Sequence, residues 1–178
     1  MESGVEGYCE REQVVRFQEA LGISCEHIRV SEKDFVESAA EFVAVTETPI
    51  YNLHPVSKLL LARKLARNGI TSVVTGDGAD QVMRHDWDCD LLPLTLTCFR
   101  SQGVRVVAPF LSERVVALCG RVCVDKGPIR DLARRLGVPV VAKRPTVFPG
   151  SVGATLKYTT DFLLQAMESR ETCAASVE

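Results

Sequence analysis

The segment Ile70 to Gln81, ITSVVTGDGADQ, constrains this chain more than any other. Its first part, Thr71 to Thr75, is rich in β-branched residues and predicts a buried strand. The run stops at Gly76-Asp77-Gly78, and a second aspartate, Asp80, comes one helical turn later. In open α/β sheets ligands bind beyond the carboxyl ends of the strands, so a site is expected here. Gly76 and Gly78 allow positive φ or a close approach of backbone to phosphate. Asp77 and Asp80 offer hard oxygen donors, which hold Mg²⁺ together with substrate phosphates. Glycine and aspartate are also ordinary turn residues, so a solvated strand-to-helix turn is the competing reading.

The flanking sequence surrounds that strand with helices. Glu10 to Leu21 carries Val14, Phe17 and Leu21 at helical spacing, with Gly22 as a stop. Cys25 to Val30 alternates enough to predict a strand. Ser31 and then Asp34 read as a helix start, and Phe35, Ala39 and Phe42 fall on one face of that helix. Thr48-Pro49 closes that segment. The spacing then predicts a helix over Pro55 to Asn68, with Val56, Leu59, Leu60 and Leu65 inward and Gly69 at its end. Beyond the acidic turn, Leu91 to Arg100 reads as helix despite Pro93, and Val104 to Leu111 as a strand or a packed apolar loop. Further helices are predicted over Ser112 to Cys119, from Pro128 to Leu136, and over Leu156 to Met167. Strands and helices in this order, without tight hairpins, predict an α/β fold with a parallel sheet.

A chain of 178 residues fits one domain, expected over residues 1–168, with a frayed tail at 169–178. The net charge of −2 gives no electrostatic footprint for nucleic acid. No apolar run reaches membrane-spanning length, and Met1 to Glu12 is polar rather than leader-like, so a cytoplasmic protein without a membrane partner is expected. The seven cysteines contain no CxxC pair and read as buried free thiols rather than zinc or redox ligands. His85-Asp86-Trp87-Asp88-Cys89-Asp90 is dense in ligand types but matches no standard metal spacing, so it reads as a polar loop. His27 and His54 stand alone and read as structural. Lys143 and Arg144 lie in an irregular basic stretch that faces either phosphate or solvent. Lys126 stands just before a helix start, where the helix dipole disfavours a cation; that position points to an anionic partner.

Taken in order, these pieces resemble the synthetase domain of the asparagine synthetases and their β-lactam synthetase relatives, N-type ATP pyrophosphatases of the adenine-nucleotide α-hydrolase group. Thr75-Gly76-Asp77-Gly78-Ala79-Asp80-Gln81 is similar to that family's SGEGADE segment. Val106 to Ser112 resembles RVPFLD, and Lys126-Gly127-Pro128-Ile129-Arg130 resembles the K-x-x-L-R helix start. Val138-Pro139, Lys143-Arg144-Pro145, Phe148 and Val152-Gly153 resemble the LP…RxKxxF…G region. With Thr48-Pro49-Ile50 and the helix after it, the resemblance runs from about Gly22 to Gly153. It implies a Rossmann-like parallel sheet with a helical C-terminal part, and a ligase that activates a carboxylate with ATP and Mg²⁺. Ammonia or an amine then attacks the acyl-adenylate to form an amide. In that scheme Asp80 is the Mg²⁺ ligand, and Thr75, Gly76, Asp77, Gly78 and Asp80 line the nucleotide. Asp77, Lys143 and Lys126 are the expected catalytic residues.

The departures from the family pattern shape the expectation about partners. The glycine-rich SGGxDS loop that supplies the family's other metal-binding aspartate has no counterpart here, and neither does the glutaminase domain. The fold is therefore expected to be truncated at its N-terminal edge. Pro145 stands where the family lysine aligns, and Gln81 replaces a glutamate beside the metal position. A sheet short of strands exposes an edge that proteins cover, so either a partner chain or a homo-oligomer is expected there. A partner carrying the phosphate loop would complete an amide synthetase. The alternative is a non-catalytic subunit that keeps the fold as a scaffold or regulator.

Overall fold

A computed structural model describes residues 10–50, 52–84, 91–122 and 126–140. In chain order the elements are α1 (Arg11–Leu21), α2 (Glu32–Thr46), α3 (Leu53–Arg67), β1 (Ser72–Val74), α4 (Ala79–Arg84), α5 (Leu91–Ser101), β2 (Arg105–Val107), α6 (Glu113–Val122) and α7 (Gly127–Arg135). A single 3-10 turn, Pro109–Leu111, links β2 to α6. The fold is α/β and rich in helix. Residues 141–178 lie outside the description, and with them the expected helix over Leu156 to Met167 and the tail.

The main core is built by α2, α3 and α5. Ser31 starts α2 with a capping box: its hydroxyl accepts from the Asp34 backbone N–H, and the Asp34 carboxylate accepts from the Ser31 N–H at 2.7 Å. Glu47 ends the helix in the left-handed region at φ 52°. Asn52, by accepting from the His54 N–H at 2.8 Å, starts α3 ahead of the expected Pro55. Phe35 and Phe42 from α2, Val56 and Leu59 from α3, and Cys98 from α5 are almost completely excluded from solvent. A polar network closes one side of this core: Arg63 pairs with Glu41, which also accepts from Gln102 Nε2 at 2.8 Å. Burial first, and then the Glu41 charge, push the Cys98 thiol up to about 12.

β1 and β2 pair in parallel, Ser72 opposite Arg105 and Val74 opposite Val107. Such a pairing requires a crossover, which the α4–α5 segment provides. Alternation along each strand sends Val73 and Val106 toward Ala62, Phe99 and Val104. The opposite side chains stay outside, Val74 at 70% and Val107 at 39% exposure. The expected buried strand over Thr71 to Thr75 is thus corrected: helices cover one face of this two-stranded sheet, so only alternate residues are shielded. Cys25 to Val30 is a second correction. It contains one bridge residue, Arg29, and no strand; Ile28 and Val30 pack instead on the core below α2 and α3.

Two other elements are less enclosed. Helix α1 ends at Gly22, as its sequence predicts, but Val14, Phe17 and Leu21 are each more than a third exposed. On the other side, α4, α6, α7 and the 3-10 turn share a small cluster in which Val82, Met83 and Cys119 are the buried members. Leu118, Leu132 and Leu136 remain more than half exposed there.

Candidate functional site

The acidic turn lies where the two strands end together. Thr75 extends the ladder, its N–H donating to the Val107 carbonyl at 2.9 Å. The chain then turns through Gly76, Asp77 and Gly78 into α4, beside the Pro109–Leu111 turn that comes after β2. The two glycines do different work. Gly78 is buried at φ 93°, and a Cβ there would lie 2.5 Å from Leu111 Cδ2, so only glycine fits without displacing Leu111. At Gly76 nothing stands within 4 Å of the Cβ position, which leaves the backbone open to an approaching ligand.

Each carboxylate meets a lysine from a different element. Lys58 Nζ, from α3, lies 3.5 Å from Asp77 Oδ1. Lys126 Nζ, from the start of α7, lies 2.7 Å from Asp80 Oδ1, an ion pair. All four side chains are about one quarter to one third exposed, so each pair is partly screened by water. Asp77 Oδ2 and Thr75 Oγ1 are shielded from solvent and have no hydrogen-bond partner among the described residues. Buried oxygens without partners are costly, and here a carboxylate oxygen and a hydroxyl are offered together at one strand end. Gln81, on the first turn of α4, is buried at 8% exposure.

Residues 2–84 match the family model described as asparagine synthase. Over this stretch, a little under half of the chain, the sequence is similar to asparagine synthase. No curated protein matches the chain.

The asparagine synthase-like segment spans α1 through α4 and so includes Thr75, Gly76, Asp77, Gly78 and Asp80. It also takes in residues 2–21, ahead of the point at which the motif resemblance begins. Of the other expected site residues, Lys126 lies beyond the match but is brought to Asp80 by α7. Lys143 lies outside the described residues, as do Pro145, Phe148 and the His85–Asp90 stretch. Among the described residues no group of three His, Cys, Asp or Glu side chains forms a metal site, and no helix is long and apolar enough to cross a membrane.

Lys58 is the residue that sequence reasoning missed. The only signal was a lysine just ahead of the apolar run Leu59 to Leu61, on a helix that leads directly into β1.

Proposed function

We propose that this chain contributes the acidic-turn part of an ATP-dependent amide-forming synthetase, in which a carboxylate is adenylated and then attacked by ammonia or an amine. The observation that carries the reading is the pairing of two carboxylates with two lysines around buried, unpartnered Asp77 Oδ2 and Thr75 Oγ1, within the asparagine synthase-like segment. The oxygen donors suit Mg²⁺, with Asp80 as the proposed ligand and Asp77 beside it. When bound, Mg²⁺ supplies charge neutralisation for the nucleotide phosphates. Gly76 admits the nucleotide close to the backbone, and Thr75 offers its hydroxyl. Lys58 and Lys126 add positive charge where negative charge develops on the leaving pyrophosphate. Lys143 is proposed to join them from the basic stretch beyond Val140.

The fold we propose is the Rossmann-like one of the adenine-nucleotide α-hydrolase group. The exposed Val74 and Val107 face supports covering of the sheet by further protein, and its two-stranded extent leaves edges to be completed, either by a chain carrying the phosphate loop or by a second copy. One observation favours a non-catalytic subunit instead: Asp80 is already neutralised by Lys126. Isothermal titration with ATP and Mg²⁺, on the chain alone and with a loop-bearing partner, separates the two. Binding in either condition supports the synthetase; no heat in both leaves only the scaffold. In the assembled complex, Asp80→Ala should abolish pyrophosphate release while the chain stays folded.

A further inference from the structure

The two lysines of the site are anchored very differently, and this leads beyond the binding of nucleotide. Lys58 projects from α3 between residues at the centre of the main core. Lys126 stands at the N-terminus of α7, a helix with no buried residue, whose Ile129 packs on the small cluster. Leu132 of that helix and Leu136 just after it are 53% and 67% exposed. A lysine at a helix N-terminus opposes the dipole. At this position the Asp80 carboxylate, 2.7 Å away, offsets that cost. The ion pair is therefore one tie between the start of α7 and the acidic turn.

We infer that Lys126 is a built-in counter-cation, which competes with a divalent metal for Asp80, and that weakening of its ion pair loosens α7. The inference rests on the proposed assignment of Asp80 to metal. Lys126 Nζ lies 2.7 Å from Asp80 Oδ1, while the Asp80 side chain stays 33% exposed. A metal on the same carboxylate would stand close to the ammonium, and two cations at that range repel, so metal and lysine compete for Asp80. Occupancy of the site is thereby coupled to the seating of a helix that also lines the apolar groove between Met83, Phe110, Leu118 and Leu132.

The test uses the full chain, Mn²⁺ as the metal, and the variants Lys126→Met and Lys126→Arg. Without metal, amide exchange over Arg130 to Leu136 should be faster in Lys126→Met than in the wild type, and near wild type in Lys126→Arg. Mn²⁺ titration read by electron paramagnetic resonance should show binding about two- to fivefold tighter in Lys126→Met, as expected for loss of a partly exposed ion pair. Mn²⁺ should also raise exchange over Arg130 to Leu136 in the wild type, and have no such effect in Lys126→Met. Mn²⁺ binding that is unchanged or weaker in Lys126→Met overturns this inference alone. Absence of Mn²⁺ binding in every protein overturns both it and the assignment of Asp80 to metal.

Discussion

Asp77 and Asp80 leave the same strand end, yet the scaffolds that hold their lysines have little in common. Asp77 is met from α3, a helix whose inner face is locked among aromatic and aliphatic side chains of α2 and α5. Asp80 is met from α7, which rests on a cluster with three buried residues and leaves its own leucines in water. Rigidity in this site sits with α3, and freedom with α7. The α3 side fixes the geometry of the turn. On the α7 side the ion pair joins a helix that has no buried residue.

Equivalent truncations on the two sides give the largest expected contrast. Leu59→Ala removes a side chain with no exposure from the main core and should cost about 2–5 kcal/mol in urea unfolding. Ile129→Ala acts on a half-buried position and should cost about 1 kcal/mol, because less apolar area is lost. Equal costs would mean that the two sides are equally well packed. The turn between them is also tightly constrained at Gly78. Gly78→Ala should destabilise by about 1–3 kcal/mol through its positive φ and its clash with Leu111, and Leu111→Ala should recover only the part due to the clash. Gly76→Ala, with open space around it, should leave the unfolding midpoint unchanged.

Smaller effects concern titrating groups on the rigid side. Cys98, pushed up to about 12 by burial and Glu41, should resist iodoacetamide in the folded chain, while exposed Cys25 reacts. Because the folded value lies above the ordinary 9.0, the Cys98 contribution to stability is complete below about pH 9 and is lost as pH rises toward 12. Asp34 has the opposite sign. Hydrogen bonds from the Ser31 side chain and backbone hold its carboxyl below the ordinary 3.8. Its contribution is present above that value and is lost as pH falls through the lowered one, a small effect at this exposed position. Ser31→Ala should cost about 1 kcal/mol and flatten that acid dependence, read from urea midpoints between neutral pH and about pH 3.

Local signals were the most legible in the sequence. The Ser31–Asp34 pair, the Phe35-Ala39-Phe42 face, the stop at Gly22 and the helix begun around Pro128 all depend on residues a few positions apart, and all are found in the structure. The acidic turn was legible as the end of a strand, because the β-branched run and the glycines adjoin it. What could not be read was tertiary. Whether Val74 is covered depends on which helices reach that face, and Cys25 to Val30 becomes a strand only with a neighbour to pair with. The Lys58–Asp77 and Lys126–Asp80 pairs join positions far apart in the chain, and no periodicity within either segment announces them.

The central claim is that the turn after β1 receives a magnesium-bound nucleotide between these two lysines. Amide chemical shifts of the ¹⁵N-labelled chain, recorded as Mg–ATP is added, test it directly. The account predicts that the largest shifts fall on Thr75 to Asp80, with smaller ones at Lys58 and Lys126. Shifts centred elsewhere, or a spectrum that Mg–ATP leaves unchanged even with the loop-bearing partner present, would contradict it.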